Sequence, residues 1–326
     1  MSGIREFHLF AGIGGGIYGG KLLGHTCCAG VEIDEYCQAV LKQRQKDGWL
    51  EQFDIYGDLT KINGEPFKNT FDVLCGGFPC QAFSHAAHGK NIAEKNLWSE
   101  MLRFVKESDS PVVFGENVTL KALTKAKFDL ENIGYKVHLC RLSCGEIGGD
   151  HRRDRFWLLA VKDSDVFIKI AKHISALPKL STKCWISSPK DLEYPNAVGQ
   201  RRKQLKAIGN AQSPFAAATA FRILVNRHLK NREYSEIVSL KEINAVIEIK
   251  KTWIKTTYGE DIGFVHTPTT MANYSCPSMM KHQGCRNYSN IFGKPTPKDA
   301  EYLMGFPLGA SLDTPVDMKY LEVWKQ

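Results

Sequence analysis

The chain reads as an α/β protein built on a mostly parallel, doubly wound sheet with a smaller C-terminal region, and three stretches carry that reading. In the first, a short apolar run from Phe7 to Phe10 enters a turn with glycines at 12, 14, 15 and 16, followed by a helical stretch through Leu23. In the second, the apolar Ala29 and Val31 lead to an acid, Glu32, twenty residues after Gly12. Strand, glycine turn, helix, strand and acid at that interval is how a nucleotide-type fold grips a ribose. The glycines let the ligand approach the backbone, and the acid accepts the hydroxyls. In the third, an apolar run (Phe71, Val73, Leu74) breaks into Gly76-Gly77, and the following loop offers Cys80 between Pro79 and Gln81. The carboxyl ends of parallel strands are where ligands and chemistry collect. A proline just before the cysteine restricts the backbone and aims the sulfur. Cys75, in the apolar run itself, reads instead as a small buried hydrophobe.

The remaining segments follow in order. Gly57-Asp58-Leu59 precedes the third run, and Asp58 suits either an adenine amino group or a plain turn. Asn96 to Val105 has Leu97, Met101 and Val105 on one helical face. Pro111 to Phe114 is a strand running into Gly115-Glu116-Asn117-Val118, so a second strand end carries a titratable group. Glu116 there would protonate a ring nitrogen if burial raised its pKa, or else serve as a cap or surface ion pair. Lys136 to Cys140 alternates like a strand, and His151-Arg152-Arg153-Asp154-Arg155 precedes a strand from Phe156 to Val161. A strand beginning at Arg153 would put Arg153 and Arg155 on one face, where burial calls for a phosphate or a polarised carbonyl.

Composition bounds the class. The 326 residues are 43% hydrophobic and 24% charged, which is ordinary for a soluble globular chain of one large or two unequal domains. There is no membrane-length apolar run, and Met1 to Phe7 lacks the apolar core of a signal peptide, so an intracellular, cytoplasmic protein is expected. Ten cysteines without a paired framework fit reduced thiols. Cys276, Cys285, His266 and His282 match no common zinc spacing, and no metal is expected. The formal charge is +8. Residues 201–260 hold twelve Lys and Arg against five Glu, which suits either a polyanion-facing surface or a solvated helical face.

With these residues in place the chain resembles the DNA (cytosine-5)-methyltransferases. L-F-A-G-I-G-G, Glu32, G-D-L, G-G-F-P-C-Q-A-F-S, E-N-V and R-R-D-R stand in that family's order, and Gln204 to Pro214 resembles its closing Gly-Asn motif. The likeness covers roughly residues 6–225. It implies a Rossmann-like S-adenosylmethionine-dependent methyltransferase fold, with a catalytic domain over 1–225 that includes a Gly-Asn helix, 204–225. It further implies methyl transfer from S-adenosylmethionine to carbon 5 of a cytosine turned out of duplex DNA. Cys80 would be the nucleophile at carbon 6, Glu116 would hold or protonate ring nitrogen 3, and Arg155 with Arg153 would stabilise the base carbonyl and backbone. The implied donor site comprises Phe10, Ala11, Gly12, Ile13, Gly14, Gly15, Glu32, Ile33, Asp58, Leu59, Gly77, Pro79, Leu97, Asn210 and Ala211, with Gly209 beside them.

Three departures stand out. His8 replaces the family's usual aspartate, Asp150-His151 replaces Pro-Gln, and Gln212 replaces valine. The interval between the arginine and Gly-Asn motifs, residues 163–200, is short for a recognition region. Residues 226–326, with Pro295 to Pro307 resembling a motif that normally comes earlier, are therefore expected to form a rearranged recognition region of phage type. Its expected DNA contacts are Arg227, Lys230, Arg232, Lys250, Lys251, Lys255, Lys281 and Arg286, together with Gln81 and Ser84 from the cysteine loop. A monomer is expected, and the resemblance leaves room for a companion restriction endonuclease. Two rivals are an RNA cytosine-5 methyltransferase, whose C-F-T element is absent here, and a non-catalytic DNA-binding relative, which tends to lose one of these motifs.

Overall fold

The computed structural model describes residues 3–79, 97–178, 180, 193–195, 200–229, 265, 267–268, 277–292 and 294–325. Seven strands form one sheet: β1 (Arg5–Leu9), β2 (Thr26–Val31), β3 (Asp54–Tyr56), β4 (Val73–Gly77), β5 (Val112–Asn117), β6 (Lys136–Ser143) and β7 (Asp154–Val161). Their order is β3-β2-β1-β4-β5-β7-β6. The pairings among the first five are parallel, and β7 runs antiparallel to both β5 and β6. The chain leaves β1 toward β2 and β3 on one side and returns to β4 on the other. That reversal opens a crevice over the carboxyl ends of β1 and β4.

Strands covered on both faces send alternate residues to two apolar layers. Val73, Cys75, Val112, Phe114, Trp157 and Leu159 face α1 (Gly15–Leu22), α2 (Glu35–Lys46), α5 (Ser164–Ala176) and α7 (Pro214–His228). Phe7, Leu9, Leu74, Val113, Leu158 and Ala160 face α3 (Trp98–Glu107) and α4 (Leu120–Glu131). Local chemistry sets the helix starts. Asp34 accepts from the amides of Tyr36 and Cys37, Thr119 from Ala122, and Asp163 from Asp165 and Val166. No described helix is long and apolar enough to cross a membrane.

Two local readings change. β5 continues through Asn117, so Glu116 lies inside the last turn of the sheet rather than in the loop beyond. The expected Gly-Asn helix is two helices, α6 (Arg201–Asn210) and α7, separated at Ala211 to Ser213. Pro214 explains the break: it lacks an N–H and disfavours helical geometry in the residue before it, and Ser213 is extended at φ −75° and ψ 125°.

The expectation assigned all of 226–326 to recognition. Its described part includes α8 (Gln283–Phe292), α9 (Pro297–Met304) and α10 (Lys319–Lys325). The buried residues of these helices belong to the same apolar cluster as α1, α2 and α7. Trp324 packs edge-on against Tyr18 at 5.7 Å and Phe215 at 5.6 Å, and its indole N–H donates to Gly305 O at 2.9 Å. Short amphipathic helices have no core of their own, so they borrow this one. The clasp is polar as well. Fully buried Glu301 accepts from the amides of Gly309 and Ser311, each at 2.7 Å, and from Ser311 Oγ. Tyr36 of α2 donates to Ser311 O at 2.7 Å, and Arg44 Nη1 donates to Gly309 O at 3.1 Å. Glu301→Ala, which strands these donors, is expected to lower the unfolding free energy by about 3 kcal/mol in urea titrations, and Glu301→Gln by less.

Candidate active site

A cleft of about 1240 Å³ lies over the carboxyl ends of β1, β2, β4 and β5. Its two halves are built from different strands.

In the β1–β2 half, Glu32 follows β2 and is nearly buried. Its Oε2 accepts from the Gly12 amide at 2.6 Å and its Oε1 from the Asp34 amide at 2.8 Å. Burial raises its pKa, opposed by the backbone hydrogen bonds from Asp34 and Gly12. Each carboxylate oxygen keeps acceptor capacity for a hydroxyl pair. Gly12 sits at φ 55° with open space where a side chain would be, so a ligand can lie against the backbone there. Phe10, also at φ 55°, and Ala11 line the same wall. A non-glycine residue held in that region stores backbone strain, which persists where a site needs the ring placed. Ile33 lines the cleft 70% exposed, an apolar face open to a flat ring. Asp58 and Leu59 continue the wall. Asp58 Oδ1 caps Thr60 through its amide at 3.0 Å and its hydroxyl at 2.8 Å, and these contacts hold the carboxyl below its usual range. Ile13 and Gly14 are buried behind the wall rather than on it. Gly15 is a packing point, since a Cβ there would lie 2.2 Å from Gln212 O. An aromatic ring, an exposed aliphatic, a free backbone and an acid with spare acceptors fit an adenosine-bearing donor.

In the β4–β5 half, Gly77 pairs with Glu116 across the two strands. Gly77, Pro79, Leu97, Glu116 and Arg155 all line the cleft. Arg155 Nε lies 3.1 Å from Glu116 Oε1 without hydrogen-bond alignment, and that oxygen has no hydrogen-bond partner among the described residues. The Glu116 side chain lines the cleft, its Oε1 buried against Arg155. Cys80, Gln81 and Ser84 lie outside the described residues. The chain leading to Cys80 is pinned, because Asn117 Nδ2 donates to Phe78 O at 2.9 Å. Asn117 had no role in the sequence reading; its place beside Glu116 was the only available signal.

Arg153 departs from expectation. β7 begins at Asp154, and Arg153 stands before it at φ 38°. Its Nη2 donates to Gly209 O at 3.1 Å and Ala211 O at 2.6 Å, carbonyls at the α6–α7 break, while the residue also lines the cleft. The break is thereby held at the cleft, where Gly209, Asn210, Ala211 and Gln212 line the wall.

Three residues outside the expected site converge beneath it. His8 Nε2 is 2.9 Å from Glu6 Oε2, and His25 Nδ1 is 2.6 Å from Glu6 Oε1. Glu6 and His8 alternate on one strand face, a signal visible in the sequence, but His25 comes from the residue just before β2. Burial pushes the Glu6 carboxyl up, and the charges and hydrogen bonds of His25 and His8 outweigh it and bring it to about 2.

Two of the described DNA candidates bond locally to backbone carbonyls. Arg227 Nη1 donates to Leu139 O on β6, and Arg286 Nη1 donates to Met280 O at 2.9 Å and Lys281 O at 3.0 Å. Lys281 ends a short turn next to Arg286. Lys230, Arg232, Lys250, Lys251 and Lys255 lie outside the described residues. Lys203 and Lys206, counted in the basic segment but not among the expected DNA contacts, line the cleft on α6, and Lys206 Nζ pairs with Asp34 at 3.1 Å.

The Glu6 cluster has a pH signature. Its folded value of about 2 lies below the ordinary 4.5, so its stabilisation is present above pH 4.5 and lost as pH falls toward 2. Between pH 5 and pH 3, Glu6→Gln is expected to lose about 2 kcal/mol less unfolding free energy than the parent chain in parallel denaturant titrations.

Comparison with known proteins places this geometry. A profile of C-5 cytosine-specific DNA methylase matches residues 4–308. The type II methyltransferase M.MspI of Moraxella sp is 30% identical over 186 residues, 52% of this chain and 42% of its own. M.HhaI of Haemophilus parahaemolyticus is 29% identical over 172 residues, 50% of each chain. M.CviJI of Paramecium bursaria Chlorella virus IL3A is 32% identical over 166 residues, 48% of this chain and 43% of its own. The chain spans about half the length of these curated relatives. The match across nearly all of its residues, on a sheet whose strand ends carry Glu32 and Glu116 over one cleft, means that the chain belongs to the C-5 cytosine-specific DNA methylase family.

Proposed function

We propose that this chain transfers a methyl group to carbon 5 of a cytosine flipped out of duplex DNA, through a covalent adduct to Cys80. The observation that carries the reading is the Glu116 carboxyl, ion-paired to Arg155, in the same cleft as Glu32. A nucleoside-type donor and a nucleobase then meet between the two acids, at the pinned turn that leads to Cys80.

The chemistry follows from the electron demand at carbon 5, which is a weak nucleophile. The Cys80 sulfur adds to carbon 6, and a carbon–sulfur bond forms as the 5,6 double bond opens. Glu116 delivers a proton to ring nitrogen 3 and so absorbs the density pushed into the ring, while Arg155 orients the carboxyl and faces the base carbonyl. S-adenosylmethionine, held by Phe10 to Gly12, Glu32 and Ile33, supplies an electrophilic methyl group and leaves as S-adenosylhomocysteine. Loss of the carbon 5 hydrogen to a base expels the sulfur and restores the double bond, and the nitrogen 3 proton returns to Glu116. Arg153 keeps the Gly209–Ala211 turn against the donor. Substrate enters by base flipping, since neither face of a stacked cytosine is reachable. The protein works as a monomer on double-stranded DNA, alone or with a companion restriction endonuclease.

Cys80→Ala is expected to abolish methyl transfer to duplex DNA while S-adenosylhomocysteine binding stays within about threefold. Turnover in that variant would refute the nucleophile. Glu116→Gln is expected to cost at least about two orders of magnitude in single-turnover rate. Bisulfite sequencing of DNA from expressing cells reads the modified atom and its sequence context; transfer to RNA alone would replace the DNA reading.

A further inference from the structure

We propose that the chain holds a structural zinc ion beneath the cleft, coordinated by Glu6, His8 and Cys75. The site stands apart from the methyl-transfer reading, since neither donor nor DNA takes part in it.

Sheet register assembles the three ligands. Glu6 and His8 alternate on β1 and so share a face, and His8 pairs with Cys75 on the parallel neighbour β4. The imidazole and the thiol therefore stand side by side in the layer that α1 and α7 cover. No spacing rule finds the group, because Cys75 reaches the other two through strand pairing. All three residues are buried, and one ligand atom from each lies within 4.8 Å of the other two. A tetrahedral zinc ion, with bonds of about 2.0–2.3 Å, sets its ligand atoms roughly 3.5 Å apart, so shifts of about an ångström close the shell.

The helix above leaves room for the ion. Glu6, His8, Cys75, Gly16, Gly20 and Gln212 border a cavity of about 10 Å³, the space of one ion. A Cβ on Gly20 would stand 2.0 Å from Glu6 Oε2, so any side chain at that position would displace the carboxylate. Gln212, the remaining polar side chain on the cavity wall, is placed for the fourth position.

Charge fits a divalent ion. Burial pushes the Cys75 thiol well above its usual pKa, so without a metal it stays protonated, whereas a coordinated thiol gives up its hydrogen outright. Coordination forms bonds from zinc to Glu6 Oε2, His8 Nε2 and Cys75 Sγ. It sends two protons to solvent, one from the His8 Nε2–H that bonds Glu6 in the metal-free chain and one from the thiol. Zinc thus takes the place of the hydrogen that joins the imidazole to the carboxylate, and the carboxylate and thiolate balance its two charges. His25 Nδ1 stays on Glu6 Oε1 and orients the carboxylate, as outer partners of metal ligands do. Mixed oxygen, nitrogen and sulfur donors suit zinc. The ion ties β1 to β4, the strands from which the glycine turn and the cysteine turn leave the sheet.

The test uses the full chain, stripped with a chelator and titrated with zinc or cobalt(II) alone. Equilibrium dialysis is expected to return one zinc per chain. X-ray absorption of the zinc form is expected to show one sulfur at about 2.3 Å with nitrogen and oxygen at about 2.0–2.2 Å. The cobalt form is expected to show thiolate charge-transfer absorption and visible bands of tetrahedral strength. Cys75→Ala is expected to remove the charge-transfer absorption and to weaken zinc binding at least about a hundredfold, and His8→Leu to weaken it comparably, so either variant suffices if the other does not fold. A parent chain that takes up no zinc overturns the proposal. So does a zinc spectrum with no sulfur or with more than one, which needs no variant to read. A folded Cys75→Ala chain that keeps the parent's affinity and charge-transfer absorption places the ion elsewhere and overturns it as well.

Discussion

The parallel registers of β1, β4 and β5 align the whole cleft. Leu9 pairs with Gly76, and Gly77 pairs with Glu116, so the glycine turn, the cysteine turn and the acid leave the sheet at one level. Side chains alternate along a strand, and a slip of one residue in β5 would turn Glu116 into the layer beneath α4 and bring its neighbour to the cleft. The register is specified by burial on both faces. Phe114 must meet Trp157 and Phe221 on one side, and Val113 must meet the α3–α4 layer on the other. The apolar core thus aims the polar site.

Glycine at 77 follows from the same alignment. A Cβ there would stand 2.9 Å from Gln212 Nε2 and 3.0 Å from Glu116 Oε2, so any side chain would fill the space between the two halves of the cleft. At Gly16 a Cβ would stand 2.7 Å from Gln212 Oε1 and 3.2 Å from His8 Nδ1. These two positions need small residues because of what approaches them rather than because of their own dihedral angles.

The walls are held from behind by contacts distant in sequence. Arg153 fastens the α6–α7 break through two carbonyls, and Asn117 fastens Phe78. Helices α9 and α10 close over α1, α2 and α7, with Glu301 tying the 309–314 turn to α9 and Arg44 tying it to α2. Each is a directional bond from a buried donor or acceptor that would be costly to leave unmet, so the cleft walls are held in place from behind.

Much of the site was readable along the chain. The glycine turn and Glu32 belong to one contiguous strand–helix–strand unit, in which local propensity and spacing act together. Glu116 follows from an apolar run ending in a polar group. What could not be read depends on which distant segment arrives. Arg153 was expected to meet an anion or a base carbonyl because burial demands a partner; that it also holds a pair of carbonyls at 209 and 211 is decided by chain path. The Glu6–His8–His25 network needs two strands in register before its three groups meet. Residues 297–325 fell within the expected recognition region, 226–326, because the linear sequence does not show what a C-terminal helix packs against. Sequence therefore specified the chemistry at the strand ends, since those motifs are local. Folding specified the partners of buried charges and the placement of the C-terminal helices, because both are set by packing between segments that the linear order keeps far apart.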